Sequence, residues 1–313
     1  MVMSKLFIIG NGFDSAHGLA TSYDEFRKYL CDEYMNGESG EDYMQIVPTV
    51  SIGPKGEDIC DMQEIAKFLV YLISISEPDG SKWSDLEASL GRLDYKEIFD
   101  TSSEEFDYGD INEWDEFYNN EDMALNLYTV VSYVKDLFAE WVEDIDIEDA
   151  KAKPSFLGLI ESKDIFLTFN YTETLEKVYG VNEDRICHIH GKQGEKILFG
   201  HGNTKDATDE YMRRNLGSEK ALTELDNFLR KDTKQALREH KHFFDGIDDK
   251  IREVYSIGFS FADVDLIYIK EICKKMTADV VWHLNDFSSD DIPSFQEKLE
   301  ECGFKGSFAI FNV

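Results

Sequence analysis

The sequence predicts a doubly wound α/β domain with a mostly parallel sheet, and three observations carry that prediction. A short apolar run next to the N-terminus ends abruptly at Gly10-Asn11-Gly12. Further short runs of β-branched, aromatic and aliphatic residues recur along the chain, several closed by Gly, Asn or Asp. Segments of helical periodicity lie between many of them. Parallel strands covered on both faces read as unbroken apolar runs, and their crossovers are usually helices, so this alternation selects the class.

The first strand is expected at 5–9. The Gly-x-Gly after it lets the backbone turn tightly, and Asn11, Phe13 and Asp14 then open an amphipathic segment. N–H groups at such a helix start favour an anion, so the turn is Rossmann-like and points to a nucleotide. The third glycine of a full dinucleotide fingerprint would stand at position 15, which is Ser15; the next glycine is Gly18. A turn that needs glycine only for its geometry is the competing reading.

Helices are expected at 62–76, 84–93 and 122–142. The second carries Asp85 and Glu87 in its first turn, where the helix dipole favours acids. The third aligns Met123, Leu127, Val131, Val134, Phe138 and Trp141 on one stripe, read as core packing. The acid- and aromatic-rich stretch 104–122 reads as a surface loop or short helix. Further strands are expected at 164–169, 185–189, 196–199, 253–257, 280–284 and 307–311. These runs divide the chain into a Rossmann-like nucleotide-binding domain at 1–35 plus 156–313 and an acidic, mostly helical insertion at 36–155.

Composition narrows the function classes. The 313 residues hold 32 Lys and Arg against 64 Asp and Glu, a net charge of −32, which repels nucleic-acid backbones and anionic lipid. No apolar stretch approaches the ~20 residues that span a bilayer, and no signal-peptide pattern opens the sequence. Five scattered cysteines without a Cys-x-x-Cys argue against a disulfide framework and a structural zinc site. The expectation is a reduced, cytoplasmic protein.

Polar groups then gather at strand ends. Asn170, after the run Leu167-Thr168-Phe169, either orients a ribose or a water with its amide or caps the next helix. In Cys187-His188-Ile189-His190-Gly191, strand alternation puts both histidines on one face. His190, at a strand exit before glycine, suits a general base; a satisfied structural histidine is the plainer reading for His188. His201, between Gly200 and Gly202, faces a ligand or sits in a simple turn. After the run ending at Ile257, Gly258 permits close backbone approach, Ser260 suits a phosphate or ribose, and Asp263 and Asp265 suit ribose hydroxyls or helix caps. These strand ends would share one edge of a parallel sheet.

The same blocks resemble the abortive-infection AbiH family, an anti-phage group. The likeness runs through Gly10-Asn-Gly-Phe-Asp14, His17-Gly18, Trp83-Ser-Asp-Leu-Glu87, Thr168-Phe-Asn170, His188-Ile-His190-Gly191, Gly200-His201-Gly202-Asn203 and Gly258 to Asp265. The pattern is also remotely similar to SIR2-like (sirtuin) NAD-binding proteins, without their zinc-binding cysteine pairs. That similarity implies NAD as substrate or ligand and no metal, with Asn170 positioning water at the nicotinamide ribose, His190 as base, and Gly10, Gly12 and Ser260 holding phosphates. It groups Asn11, Phe13, Asp14, Gly18, His201, Gly258, Asp263 and Asp265 with them as nucleotide-binding positions. The implied activity is hydrolysis of NAD to ADP-ribose and nicotinamide, gated by a homo-oligomer or a phage-derived trigger. A non-catalytic module binding NAD or ADP-ribose, and a metal-dependent phosphohydrolase or nuclease using His188 and His190, stand as alternatives.

Overall fold

The computed structural model describes residues 4–37, 46–77, 83, 85–104, 113–288 and 290–313. The chain divides into two compact units. The first comprises Met1–Thr21, Val142–Leu198 and Asp232–Val313; the second comprises Ser22–Trp141 and Phe199–Lys231.

The first unit is built on a six-stranded sheet of β1 (Ser4–Ile9), β2 (Ile165–Thr168), β3 (Ile186–His188), β4 (Ile251–Ile257), β5 (Val281–Asn285) and β6 (Ser307–Phe311), in the order β3-β2-β1-β4-β5-β6. Every pairing is parallel. Leu6 and Ile8 pack with Leu167, Cys187, Val254 and Trp282 in one core cluster, and Phe7 and Ile9 pack with Phe166, Tyr255 and Ile257 in the other. That is the period-2 alternation of a strand covered on both sides. The chain leaves β1 toward β2 on one side and later returns as β4 on the other. The carboxyl ends of β1 and β4 therefore form the topological switch point, where sheets of this kind hold ligands.

Most expected strands are present. The expected strand at 196–199 is absent: those residues run irregularly, with the Leu198 N–H on the His190 carbonyl at 2.8 Å. Residue 199 then passes into the second unit, where Phe199 stacks on Phe138 at a centroid distance of 3.8 Å.

The second unit is mainly helical, with a two-stranded ribbon of Ser51–Ile52 and Asp58–Ile59. The Met62–Ser76 helix has the expected bounds and is capped by Asp61, which accepts from the Gln63 and Glu64 N–H groups. Asp85 caps a shorter helix than expected, Leu86–Leu90. The stretch 104–122 is partly a correction. Residues 105–112 lie outside the described residues, but from Glu113 the chain is already in the long Glu113–Asp144 helix. That helix holds no Gly or Pro, and its acidic first turn suits the helix dipole. Among the described residues no helix is long and apolar enough to cross a membrane.

Glu87 and Lys231 form an ion pair of 2.7 Å inside this unit, with side chains 10% and 2% exposed. Lys231→Met would leave the carboxylate without its cation. We expect a loss of about 3–5 kcal/mol, read as a lower midpoint of chemical denaturation, with Glu87→Gln partly restoring the double variant.

At the switch point three glycines allow backbones to meet. A Cβ on Gly10 would lie 2.5 Å from the Gly258 carbonyl oxygen, and one on Gly12 would lie 2.7 Å from the Gly258 Cα. Gly258 has φ +62°, and its Cβ would lie 2.2 Å from the Phe13 nitrogen. Gly258→Ala is expected to destabilise by at least about 3 kcal/mol. Gly180→Ala is the control: φ is +65°, but nothing lies within 4 Å of the added Cβ, so about 1 kcal/mol is expected. Urea unfolding of the two variants checks the difference.

Candidate functional site

The glycine contact fixes what surrounds it. The N–H of Gly10 donates to the Ile257 carbonyl at 3.0 Å, that of Gly12 to Gly258 at 2.9 Å, and that of Phe13 to Gly10 at 2.9 Å. These donors bind the chain to itself, so the expectation that they face an anion is corrected. The helix they open, Asn11–Ala16, is six residues long. Gly18, at φ +78°, lies in the turn that follows it. Phe13 packs inward on Phe156, whereas Asn11 is exposed.

Asp14 is turned into the protein and is 1% exposed. Its Oδ2 accepts from the Thr172 hydroxyl at 2.6 Å, and Thr172 in turn lies 2.9 Å from the Thr174 hydroxyl. Because the Thr172 proton points to the carboxylate, Thr174 donates to Thr172. Among the described residues Asp14 Oδ1 has no hydrogen-bond partner. Burial raises the Asp14 pKa, and the opposing pull of Thr172, Thr174, Asn170 and His17 does not overcome it. Asn170, 6% exposed, is near enough to favour the carboxylate, yet among the described residues neither of its amide atoms reaches hydrogen-bonding geometry with any group. It does not cap the next helix, Thr174–Tyr179, whose N-cap is Glu173.

His188 and His190 part company. Strand β3 ends at His188, and a turn closed by the Gly191 N–H on the His188 carbonyl breaks the alternation that would have put them on one face. His188 is tied down, with Nε2 2.8 Å from Glu176 Oε1 and Nδ1 3.3 Å from the Asn170 carbonyl. His190 is 2% exposed, among the rings of Phe169, Tyr171 and Tyr268, with Nε2 3.3 Å from Asp265 Oδ1. Asp265 stands at the N-cap of Leu266–Cys273 but makes no side-chain cap bond there.

Ser260 is exposed, and Asp263 is exposed and paired with Lys298 at 3.0 Å. His201 belongs to the second unit and is fully buried. Its Nε2–H donates to the Asp226 carbonyl at 3.0 Å, and its Nδ1 accepts from the Asn203 N–H at 3.1 Å. Burial lowers the His201 pKa, which favours the neutral ring.

Several residues at the switch point were not anticipated. Thr172 and Thr174 had a signal, since hydroxyls directly after a strand end are placed to meet the neighbouring loop. Phe261 had none: it takes φ +53° although fully buried, and its carbonyl accepts from the Lys298 ammonium at 2.8 Å. A bulky residue there is strained. Phe287, after β5, is 92% exposed and lines a small depression with Gly258 and Asn285. Among the described residues no group of three or more His, Cys, Asp or Glu is placed to hold a metal ion.

The first unit is thus a doubly wound α/β unit with a buried carboxylate, an unpaired amide and a histidine–aspartate pair at the carboxyl ends of its central strands. The family described as bacteriophage abortive infection AbiH matches residues 6–286, and the chain belongs to that family. No curated protein and no solved structure matches it.

The raised pKa of Asp14 sets a pH dependence. Its folded pKa lies above its unfolded value, so the contribution to stability is full below the unfolded pKa and is lost as pH rises through the folded pKa. Asp14→Asn removes that titration. Thermal unfolding from pH 4 to 8 should show the wild type losing ground to the variant as pH rises; parallel curves would exclude a buried, titrating Asp14.

Proposed function

We propose that this AbiH protein acts in anti-phage defence by hydrolysing the N-glycosidic bond of NAD, with the first unit as the hydrolase. The observation that supports this reading best is the buried His190–Asp265 pair at 3.3 Å, at the same sheet edge as the unpaired Asn170 amide. A carboxylate beside a histidine ring holds its orientation and stabilises its protonated form, so His190 can take a proton from water. In the proposed reaction water adds to the ribose C1′ as the carbon–nitrogen bond breaks. The bonding pair goes to the pyridinium nitrogen, neutral nicotinamide leaves, and the water proton passes to His190. Asn170 would hold the water, and the exposed Phe287 ring offers a face for a planar base. With the Gly12 and Phe13 N–H groups engaged inside the chain, the substrate is held by side chains and by its ribose and base.

That engagement favours one second reading, a module that binds a nucleotide without turning it over. Nicotinamide release from NAD, followed chromatographically with purified protein and no added metal, separates the two. Hydrolysis requires that His190→Ala and Asn170→Ala each lower the rate by about 10²–10⁴-fold while melting near the wild-type temperature. A melting shift with NAD but no nicotinamide would identify the binding module; equal rates in the variants would remove His190 and Asn170 from the chemistry.

A further inference from the structure

The second unit contains a cavity of about 370 Å³, lined by the exit of the Leu86–Leu90 helix and by the helices Thr208–Arg214 and Glu219–Leu229. Pockets of this size take small organic ligands. Leu93, Leu222 and Leu229 give it apolar wall, and Tyr95 and Tyr211 face each other across 6.4 Å between ring centroids. Tyr95 is 7% exposed and Tyr211 half-buried, both line the cavity, and neither hydroxyl bonds to another group among the described residues. Burial pushes the Tyr211 phenol up to about 12, so it remains a donor at neutral pH.

The charge of the lining departs from that of the chain. Arg92, Lys96, Lys205 and Arg214 line the cavity against Asp94, Glu210 and Asp226, whereas acids outnumber bases two to one overall, 64 to 32. Lys205 and Arg214 both pair with Glu210, and Lys96 with Asp100. Arg92 makes no ion pair among the described residues; its Nε donates to the Ala88 carbonyl at 3.2 Å. An exposed guanidinium without a carboxylate, beside two phenol hydroxyls that carry no bond within the chain among the described residues, places donors around a half-open space. A planar fork of this kind suits phosphate.

We propose that this cavity binds a small organophosphate anion of nucleoside monophosphate size, its phosphate on Arg92 and its ring system against Tyr95 and Tyr211. The site lies in the second unit and does not depend on hydrolysis in the first.

Calorimetric titration of the full chain with AMP, GMP, CMP and UMP, and with adenosine and inorganic phosphate as controls, tests this. At least one monophosphate should bind saturably, and adenosine and inorganic phosphate should each bind at least about tenfold more weakly. Arg92→Glu should weaken the monophosphate by about tenfold or more, and Tyr211→Phe, which keeps the ring, by about three- to tenfold. His190→Ala should bind it as the wild type does, which separates this site from the one in the first unit. Thermal unfolding confirms that each variant is folded. Absence of binding by all four monophosphates, unchanged affinity in Tyr211→Phe and Arg92→Glu, equal binding of either control, or loss of binding in His190→Ala would each overturn the assignment.

Discussion

Two strand ends in the first unit approach more closely than any side chain permits. Gly10 and Gly12 after β1 meet Gly258 after β4, backbone against backbone, with hydrogen bonds across the contact. Because the Gly12 N–H is committed there and the Phe13 N–H turns back to the Gly10 carbonyl, the Asn11–Ala16 helix starts in one orientation. Phe13 enters the core cluster, and Asp14 on the next position meets Thr172. On the other strand the positive φ of Gly258 leads into Phe259, Ser260 and the strained Phe261, and the chain arrives at Asp265 opposite His190. Strain at Phe261 persists because Lys298 holds its carbonyl and the rings of Phe259 and Phe295 hold its side chain. The polar pair and the buried carboxylate are consequences of one steric condition.

The sheet was legible in the sequence because its strands are buried on both faces. Apolar runs such as 5–9 and 253–257 have no other explanation at that length, and the glycines and asparagines that close them mark the carboxyl edge. What misled was local signal without long-range context. The run at 196–199 is apolar because Phe199 stacks on Phe138, a partner from a distant helix, and not because it pairs with a strand. The beginning of the Glu113–Asp144 helix is acidic and aromatic, which reads as surface, but nothing in it breaks a helix. Membership of Phe199–Lys231 in the second unit rests on contacts between residues far apart in sequence, to which periodicity is blind.

The candidate site was legible by position more than by role. Asn170, His190 and Asp265 were placed at strand ends by residue type alone, and the structure sets the last two 3.3 Å apart. The equivalence of His188 and His190 rested on continuing a strand for two more residues, and a single turn removes it. The Gly12 and Phe13 N–H groups could be read as donors to a ligand only while their acceptors, the carbonyls of Gly258 and Gly10, were unknown. Asp263 and Asp265 are two residues apart and chemically identical in sequence; one faces solvent and Lys298, the other the histidine, and only the 3₁₀ turn Asp263–Asp265 decides which.

The blocks that led to the AbiH family divide between two polar centres. Gly10 to Asp14, Asn170, His190 and Asp265 fall in the first unit, whereas Trp83, Glu87, His201 and Asn203 fall in the second. In the second unit the Lys231 N–H donates to the His201 carbonyl, Lys231 pairs with Glu87, and Asn203 reaches the Gly91 carbonyl at 2.7 Å. These bonds tie the helix carrying Glu87 to the segment carrying His201, two stretches more than a hundred residues apart. Buried ion pairs and buried imidazoles are poor devices for stability, since apolar side chains of the same volume serve as well. Such groups are better suited to fixing one arrangement of the chain, because each demands a specific partner in a specific direction. Around the Tyr95–Tyr211 cavity that arrangement sets Arg92 and two phenols beside the apolar wall of Leu93, Leu222 and Leu229, the combination that the proposed ligand needs.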